Sequence, residues 1–199
     1  ICVGQSITLN VTGSSGYTWT GPNAFTASGS SVTVTPNTTA TYTVTSGGLC
    51  PGNQTVTVTV NQLPVITFAP PSASICAGNS VTLDAGADTN SYVWTPNNSL
   101  TILTPSGDQV SASPATTTTY NVTSTSPQGC VSNDVITVTI NPNPVLTLSD
   151  DSLIICPTSS DTVTVSGATT YTWTPLTGAT LLQPDGSVVE FAPATATTY

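Results

Sequence analysis

Apolar and hydroxyl-bearing side chains alternate along most of this chain. In residues 54–61, for example, Val56, Val58 and Val60 are separated by threonines. Because successive side chains of a β-strand point to opposite faces, this period of two predicts strands with one buried aliphatic face and one exposed hydroxyl face. We therefore expect the three valines to face inward. No segment shows the 3.6-residue spacing of an amphipathic helix, so the sequence predicts an all-β fold.

The middle part of the chain contains a series of such segments, separated by clusters of Gly, Pro, Asn and Ser that favour turns. The predicted strands are 65–69, 80–85, 92–95, 109–113, 119–124 and 134–141. A tryptophan lies on the third strand and a tyrosine opens the fifth. Short strands in this arrangement are typical of an immunoglobulin-like Greek-key β-sandwich.

A cysteine, a tryptophan and a tyrosine recur in the same order three times. The three sets are Cys2, Trp19 and Tyr42; Cys76, Trp94 and Tyr120; and Cys156, Trp173 and Tyr199. Such repetition predicts tandem domains, and we expect the aromatic residues to lie in their cores. The predicted domains are repeat 1 at 1–63, without its first strand, repeat 2 at 64–143, complete, and repeat 3 at 144–199, without its last strands.

The five cysteines fit this arrangement as two pairs and one single residue. We predict one disulfide inside each of the first two repeats, Cys2 with Cys50 and Cys76 with Cys130, and we expect the partner of Cys156 to lie outside the 199 residues. Disulfides indicate an oxidising, extracellular compartment. Reduced, buried cysteines in a cytosolic protein are the alternative.

Charge is sparse and of one sign. The chain contains no Lys, Arg or His and nine Asp plus Glu, for a formal net charge of −9. Because Lys and Arg neutralise phosphates, this composition disfavours binding to nucleic acids and to anionic membranes. No apolar run is long enough to span a membrane. Without His or Lys there is no imidazole base and no amine nucleophile, so we expect no catalysis in this part of the protein. A glycosidase would have to use Glu190, which the alternation places on a strand edge.

Two features offer binding functions as alternatives. The three tryptophans could stack on sugar rings, although a tryptophan on the third strand usually packs in the core. Asp150 and Asp151, together with Asp84 and Asp88, could bind calcium between domains, although solvated loop carboxylates are the commoner case. We expect no cofactor, with calcium as the only candidate.

Several motifs resemble the Ig-like and PKD-like repeats of large secreted proteins from Bacteroidota. They are Ile-Cys-x-Gly-x-Ser-[Val/Ile]-Thr-Leu at 1–9 and 75–83, Tyr-x-Trp-Thr at 17–20, 92–95 and 171–174, and the segments 58–64 and 113–123. The third copy departs from the first motif at 155–160. The resemblance implies a multi-repeat extracellular protein, exported by the type IX system and held at or released from the cell surface. It implies no single activity.

Together these features predict an extracellular structural or adhesive protein, a stalk or filament of tandem Ig-like domains. The expected partners are further copies or repeats of the same kind, with surface glycans as a further candidate. The alternatives are a glycan-binding or calcium-dependent adhesion module, and the accessory repeats of a larger secreted enzyme.

Overall fold

The computed structural model describes residues 1–13, 15–48, 50–86 and 89–199. The chain divides into two compact units, Ile1–Asn141 and Pro142–Tyr199. The described residues form strands and turns but no helix, which confirms the prediction of an all-β fold. No helix in the described part of the chain is therefore long and apolar enough to cross a membrane.

The first unit begins with the strands of repeat 1. They are β1 (Ile7–Asn10), β2 (Tyr17–Thr20), β3 (Thr26–Ser28), β4 (Ser31–Val34), β5 (Ala40–Ser46) and β6 (Asn53–Val58). Strands β1 and β4 form one sheet, and the second sheet has the order β3-β2-β5-β6, with antiparallel pairing throughout. Leu9, Trp19, Tyr42 and Val44 lie in the buried cluster of this repeat.

The second half of this unit contains the strands of repeat 2. They are β7 (Ala73–Cys76), β8 (Val81–Asp84), β9 (Ser91–Thr95), β10 (Leu100–Ile102), β11 (Gln109–Ala112), β12 (Thr118–Thr125) and β13 (Val131–Asn141). One sheet has the order β10-β11-β8 and the other β7-β13-β12-β9. Only the pairing of β7 with β13 is parallel among the described strands of this repeat. Leu83, Val110, Tyr120, Val122 and Val138 are fully buried in its core.

The predicted strands at 80–85, 92–95, 109–113, 119–124 and 134–141 overlap β8, β9, β11, β12 and β13. Segment 65–69 is not a strand. It lies beside β8 with fewer hydrogen bonds than a ladder needs, between Thr67 and Ala85 and between Ala69 and Asp84. Strands β7 and β10 were not predicted from the sequence.

Val56 does not face the core as expected, although Val58 and Val60 do. It is 36% exposed, whereas Ile136, which pairs with Tyr120 as Val56 pairs with Tyr42, is 4% exposed. In repeat 2 the segment 65–69 supplies Ile66 and Phe68 to the core cluster. Val56 is not part of the buried cluster of repeat 1, against which Ile1, Val3, Ile7, Val11, Phe25 and Ala27 pack.

The second unit is a single sheet with a small core. Its strands are β14 (Thr147–Leu148), β15 (Asp161–Ser166), β16 (Ala179–Leu181) and β17 (Val188–Phe191), in the order β14-β15-β17-β16. Val163, Val189 and Phe191 form its buried cluster. Residues 171–174 and 195–199 are not strands, although their sequences match β2 and β9 and the beginnings of β5 and β12.

Each repeat ties its tryptophan to a glycine in a following turn. The indole N–H of Trp19 donates to the carbonyl of Gly29 over 3.0 Å, that of Trp94 to Gly107 over 2.7 Å, and that of Trp173 to Gly186 over 2.9 Å. A buried indole N–H needs such an acceptor. All three glycines have a positive φ. The Trp–Gly contact therefore holds a following turn against the segment that contains the tryptophan in every repeat.

Replacing Gly107 by alanine should destabilise repeat 2 more than the same change at Gly129. Their φ angles are +77° and +78°, so both variants carry the cost of a left-handed alanine, about 1–2 kcal/mol. A Cβ at Gly107 would also lie 2.5 Å from the carbonyl oxygen of Tyr92, whereas one at Gly129 meets nothing within 4 Å. We expect a further loss of about 1–3 kcal/mol for Gly107→Ala. Urea unfolding measures the free energy of unfolding of both variants. Equal losses for Gly107→Ala and Gly129→Ala would contradict the close approach of Gly107 to the Tyr92 carbonyl.

Candidate functional site

The connection between repeats 1 and 2 is held from both sides. The N–H of Val3 donates to the carbonyl of Asn61 over 3.0 Å, and the N–H of Asn61 donates to the carbonyl of Ile1 over 2.9 Å. From repeat 2, the hydroxyl of Ser132 donates to the carbonyl of Pro64 over 2.6 Å. The first residues of repeat 1 and the start of β13 therefore fix the junction, residues 61–64, by backbone and side-chain hydrogen bonds.

A disulfide crosses this junction. Cys2 is bonded to Cys130, with a Cα–Cα distance of 5.6 Å and a sequence separation of 128 residues. Cys2 pairs with Asn61 in a β-bridge, and Cys130 lies in the turn between β12 and β13. Both cysteines are buried. The bond therefore joins two repeats and does not staple a single one.

This bond corrects the pairing predicted from the sequence, Cys2 with Cys50 and Cys76 with Cys130. In repeat 2, Cys130 immediately precedes β13, while Cys76 pairs with Asn141 at the other end of that strand. Ten residues of extended strand span about 33 Å, whereas a disulfide needs Cα atoms less than about 7 Å apart. The two cysteines of one sandwich lie at opposite ends of its last strand and cannot meet.

Repeat 1 has the same geometry. Cys50 precedes β6, and Cys2 lies beside Asn61, beyond the end of that strand. The first cysteine of a repeat lies beside the residues that follow its last strand. From there it can reach the last hairpin of the next repeat, as Cys2 reaches Cys130. The sequence contained a signal against the predicted pairing. A strand of alternating residues follows Cys50 and Cys130, and its length separates each of them from its predicted partner.

The remaining cysteines, Cys50, Cys76 and Cys156, are exposed free thiols in the structure. Cys76 and Cys156 begin the same turn as Cys2. In each turn the N–H three residues on donates to the cysteine carbonyl, from Gln5 to Cys2, Asn79 to Cys76 and Ser159 to Cys156, over 3.0–3.1 Å. The third residue of the turn is Gly4, Gly78 or Thr158, each with a positive φ. The divergent third copy therefore keeps the turn, with a threonine in a glycine conformation.

The predicted core aromatic residues fall into two groups. Trp19, Tyr42, Trp94 and Tyr120 are at most 5% exposed. Neither Trp19 nor Trp94 therefore presents a ring face on which a sugar could stack. In the second unit Trp173 and Tyr199 are only half-buried, and both contact Phe191, with ring centroids 5.3 and 4.4 Å apart. The third repeat thus has the same aromatic set in a more open setting.

The acidic residues considered for calcium binding do not converge. The carboxylate of Asp84 already accepts hydrogen bonds from the Gly86 N–H and the Gln109 amide, each over 2.8 Å. Asp150 and Asp151 are exposed, and Asp88 lies outside the described residues. In the described ranges no three His, Cys, Asp or Glu side chains form a group that could hold a metal ion.

Two other aspartates organise turns. The hydroxyls of Ser106 and Thr104 donate to Asp108 and lower the pKa of its carboxyl group, because they stabilise the charged form. Ser187 lowers the pKa of Asp185 in the corresponding turn of the third repeat by the same means. A lowered pKa contributes stability that is present at neutral pH and is lost as the pH falls through the folded-state value. These aspartates therefore support the turns that contain the tryptophan-bound glycines.

Comparison with known proteins agrees with this fold. Residues 62–144 match the family described as the Ig-like domain associated with CHU_C. The matched segment contains all the strands of repeat 2 and confirms the resemblance to Ig-like repeats. No curated protein matches the chain.

Among solved structures, the chain is similar to murine CEACAM1b, with 14% identity over 71% of this chain and 95% of that chain, at a TM-score of 0.33. It is also similar to the calcium-stabilised adhesin that helps an Antarctic bacterium reach out and bind ice. That match has 16% identity over 95% of this chain and 60% of the adhesin chain, at a TM-score of 0.38. The chain thus spans 60% of that adhesin chain.

Alkylation without reduction should label three cysteines, Cys50, Cys76 and Cys156, in the oxidised 199-residue chain. The bond between Cys2 and Cys130 leaves three thiols, whereas two disulfides within repeats would leave one. Mass spectrometry of the denatured protein counts the adducts. Because the chain has no Lys or Arg, trypsin gives no peptides, and pepsin or cleavage at aspartate supplies them for mapping. A single adduct, with Cys2 and Cys50 in one linked peptide pair, would contradict the bond across the junction.

Proposed function

We propose that this chain, in which residues 62–144 match the Ig-like domain associated with CHU_C, is part of an extracellular stalk that carries mechanical load. The observation that supports the proposal is the disulfide between Cys2 and Cys130. A bond between consecutive domains does little for catalysis or for recognition. It limits how far the domains can separate or unfold when the chain is pulled.

The position of the disulfide determines the path of force. Tension that enters near Ile1 passes at Cys2 into Cys130 and leaves along β13 toward Asn141. Residues 3–129, between the two cysteines, are outside this path, so the cores of repeats 1 and 2 are not pulled apart. Strand β13 is already extended and lies between β12 and β7 in its sheet. The linked pair of repeats should therefore be nearly inextensible while the disulfide is intact.

The free cysteines Cys76 and Cys50 could form equivalent disulfides with neighbouring domains. Cys76 and Cys50 occupy the repeat positions of Cys2 and Cys130. In a tandem array, Cys76 would bond to the last hairpin of the following domain and Cys50 to the end of the preceding one. Successive domains would then be linked by a disulfide at every junction. Disulfides of this kind require an oxidising compartment, which supports an extracellular or cell-surface location.

The surface of the repeats fits a structural or adhesive role. Exposed threonines pair across neighbouring strands, as Thr8 does with Thr33 and Thr119 with Thr137. These faces are neutral and hydroxylated, so they offer little repulsion to another copy or to a hydroxyl-rich surface such as a glycan. We propose association with like repeats as the main partner mode and export by the type IX system of Bacteroidota as the route.

We further propose that this part of the protein is not catalytic. Glu190, the glutamate that a glycosidase would need, pairs on β17 with Thr162 and Thr180 and accepts a hydrogen bond from Ser160 over 2.6 Å. Among the described residues, no three His, Cys, Asp or Glu side chains form a group that could hold a metal ion. Any activity of a longer protein would have to lie elsewhere in it.

Stretching single molecules by their ends tests the mechanical role. The oxidised chain should show no extension from residues 3–129, because the disulfide bypasses them. The Cys2→Ser variant should release that span, on the order of 40 nm of added length. Cys50→Ser is the matched control and should behave like the unchanged protein. Equal added lengths for the oxidised chain and Cys2→Ser would contradict the proposal.

Labelling of intact cells tests the location. Cys50, Cys76 and Cys156 are exposed free thiols in the 199-residue chain. In an extracellular array of repeats they should be disulfide-bonded to neighbouring domains. A membrane-impermeant maleimide should therefore label the protein on unbroken cells only after an impermeant phosphine reductant is added. Labelling that requires cell lysis would contradict a surface location, and labelling without reductant would contradict a disulfide at every junction.

A further inference from the structure

Repeat 1 contains an open pocket between the turn that joins β2 to β3 and the segment that joins β4 to β5. Its volume of about 340 Å³ lies within the range of small-molecule sites in proteins. Of its lining residues, Val34, Ala40 and Tyr42 are buried, and Asn23 and Asn37 are exposed. The pocket therefore has a base of core residues and a polar rim.

The pocket is open because the chain turns back sharply after β2. Asn23 and Ala24 have φ angles of 56° and 58°. The N–H of Gly21 donates to the carbonyl of Phe25 over 3.0 Å and closes the turn. Positive φ angles at both central residues are typical of the tight turn that joins two paired strands. Strand β3 therefore returns along β2, and β4 has β1 as its only partner strand among the described residues.

The other two repeats close the equivalent place with a strand. In repeat 2, β10 pairs with β11, and the N–H of Ser113 donates to the carbonyl of Ser99 over 3.0 Å. In the third repeat, β16 pairs with β17, and the N–H of Ala192 donates to the carbonyl of Gly178 over 2.8 Å. The described part of repeat 1 has no equivalent bond, so the turn and the end of β4 stay apart.

The opening lies on the side of the sandwich away from Ile1. In repeat 2, segment 65–69 lies beside β8, and β7 lies beside β13. Strands β8 and β7 are at the opposite edges of their sheets from β10 and β9. The corresponding places in repeat 1 adjoin β1 and β6, whereas the pocket lies between β2 and β4. The pocket therefore depends on the turn at 21–25 and not on what lies beside Ile1.

The pocket contains a buried hydroxyl group without a partner. Tyr42 is 4% exposed, and its hydroxyl makes no hydrogen bond to a described residue. In repeat 2 the hydroxyl of Tyr120 is bonded to that of Ser99 over 2.6 Å, but repeat 1 has Ala24 at the position of Ser99. In the third repeat the hydroxyl of Tyr199 donates to a backbone carbonyl over 2.8 Å. Because buried polar groups are almost always paired, the Tyr42 hydroxyl is available to a ligand.

We propose that this pocket binds a neutral sugar ring of a glycan. A sugar ring carries hydroxyl groups, which both donate and accept hydrogen bonds, around apolar C–H faces. The Tyr42 hydroxyl at the base of the pocket and the amides of Asn23 and Asn37 at its rim can also donate and accept. The polar groups of the pocket therefore match those of a sugar.

The apolar wall and the lack of charge favour the same ligand. Pro22, Phe25 and Pro36 line the pocket, and the Phe25 ring packs edge-on against Tyr42, with ring centroids 5.4 Å apart. A partly exposed aromatic ring offers a surface on which the C–H face of a sugar can stack. None of the described lining residues is charged, and the net charge of −9 disfavours an acidic ligand. The inference rests on the adhesive role proposed above, for which it names the partner, and it does not involve the disulfide.

Amide NMR spectra of the isotope-labelled 199-residue chain test the site. The probes are glucose, galactose, mannose, xylose, fucose and N-acetylglucosamine, each added separately. We expect saturable shifts in residues 21–25 and 35–38 with at least one sugar, at a dissociation constant in the millimolar range. The equivalent loops at 96–100 and 113–116 should not shift, because β10 closes that place in repeat 2.

Tyr42→Phe and Tyr120→Phe form a matched pair of variants. Tyr42→Phe removes a hydroxyl that has no partner in the described structure. It should weaken sugar binding about threefold to tenfold and leave the urea midpoint of unfolding unchanged. Tyr120→Phe removes the hydroxyl that is bonded to Ser99, so it should lower the urea midpoint and leave sugar binding unchanged. The pair therefore separates a ligand-binding hydroxyl from a structural one.

The proposal would be overturned if none of the six sugars shifts residues 21–25 and 35–38 at about 50 mM. Equal binding by Tyr42→Phe and the unchanged chain would also overturn it, as would equal losses of stability in the two variants. Shifts confined to the exposed threonine faces would show general contact with sugars and would overturn the pocket as the site. None of these results affects the stretching experiment, because Cys2 and Cys130 are unchanged.

Discussion

The constraint on which the organisation of the first unit depends is the length of its last strand. In a sandwich whose two cysteines lie at opposite ends of an eleven-residue strand, a disulfide within the domain is geometrically excluded. A disulfide that such a cysteine does form joins neighbouring domains, as the bond between Cys2 and Cys130 does. The covalent unit of this protein is therefore the junction between domains, and each core depends on packing and hydrogen bonds for its own stability.

Within each repeat, the tryptophan connects the core to a surface turn. Its ring fills the core, and its N–H holds the carbonyl of a glycine in a following turn, which is Gly107 in repeat 2. Hydroxyl groups around Asp108 brace that turn from outside the core. Because the Trp–Gly hydrogen bond recurs in all three repeats, including the third, where fewer strands surround the tryptophan, it does not require the complete sandwich.

The sequence was sufficient for the fold class and for most strands of repeat 2, because alternation over four or more residues specifies both the strand and its buried face. It did not reveal the disulfide, since cysteine spacing alone leaves connectivity open. The distance between Cys76 and Cys130 depends on β13 being one unbroken strand. The exposure of Val56 was also missed, because it depends on what covers the strand and not on its own alternation.

The motif Tyr-x-Trp-Thr shows how far local sequence determines a strand. It is a strand in β2 and β9 but not at 171–174, although the tryptophan makes the same hydrogen bond to a glycine in all three places. Side-chain burial alone therefore does not complete the strand, and the neighbouring ladder is required.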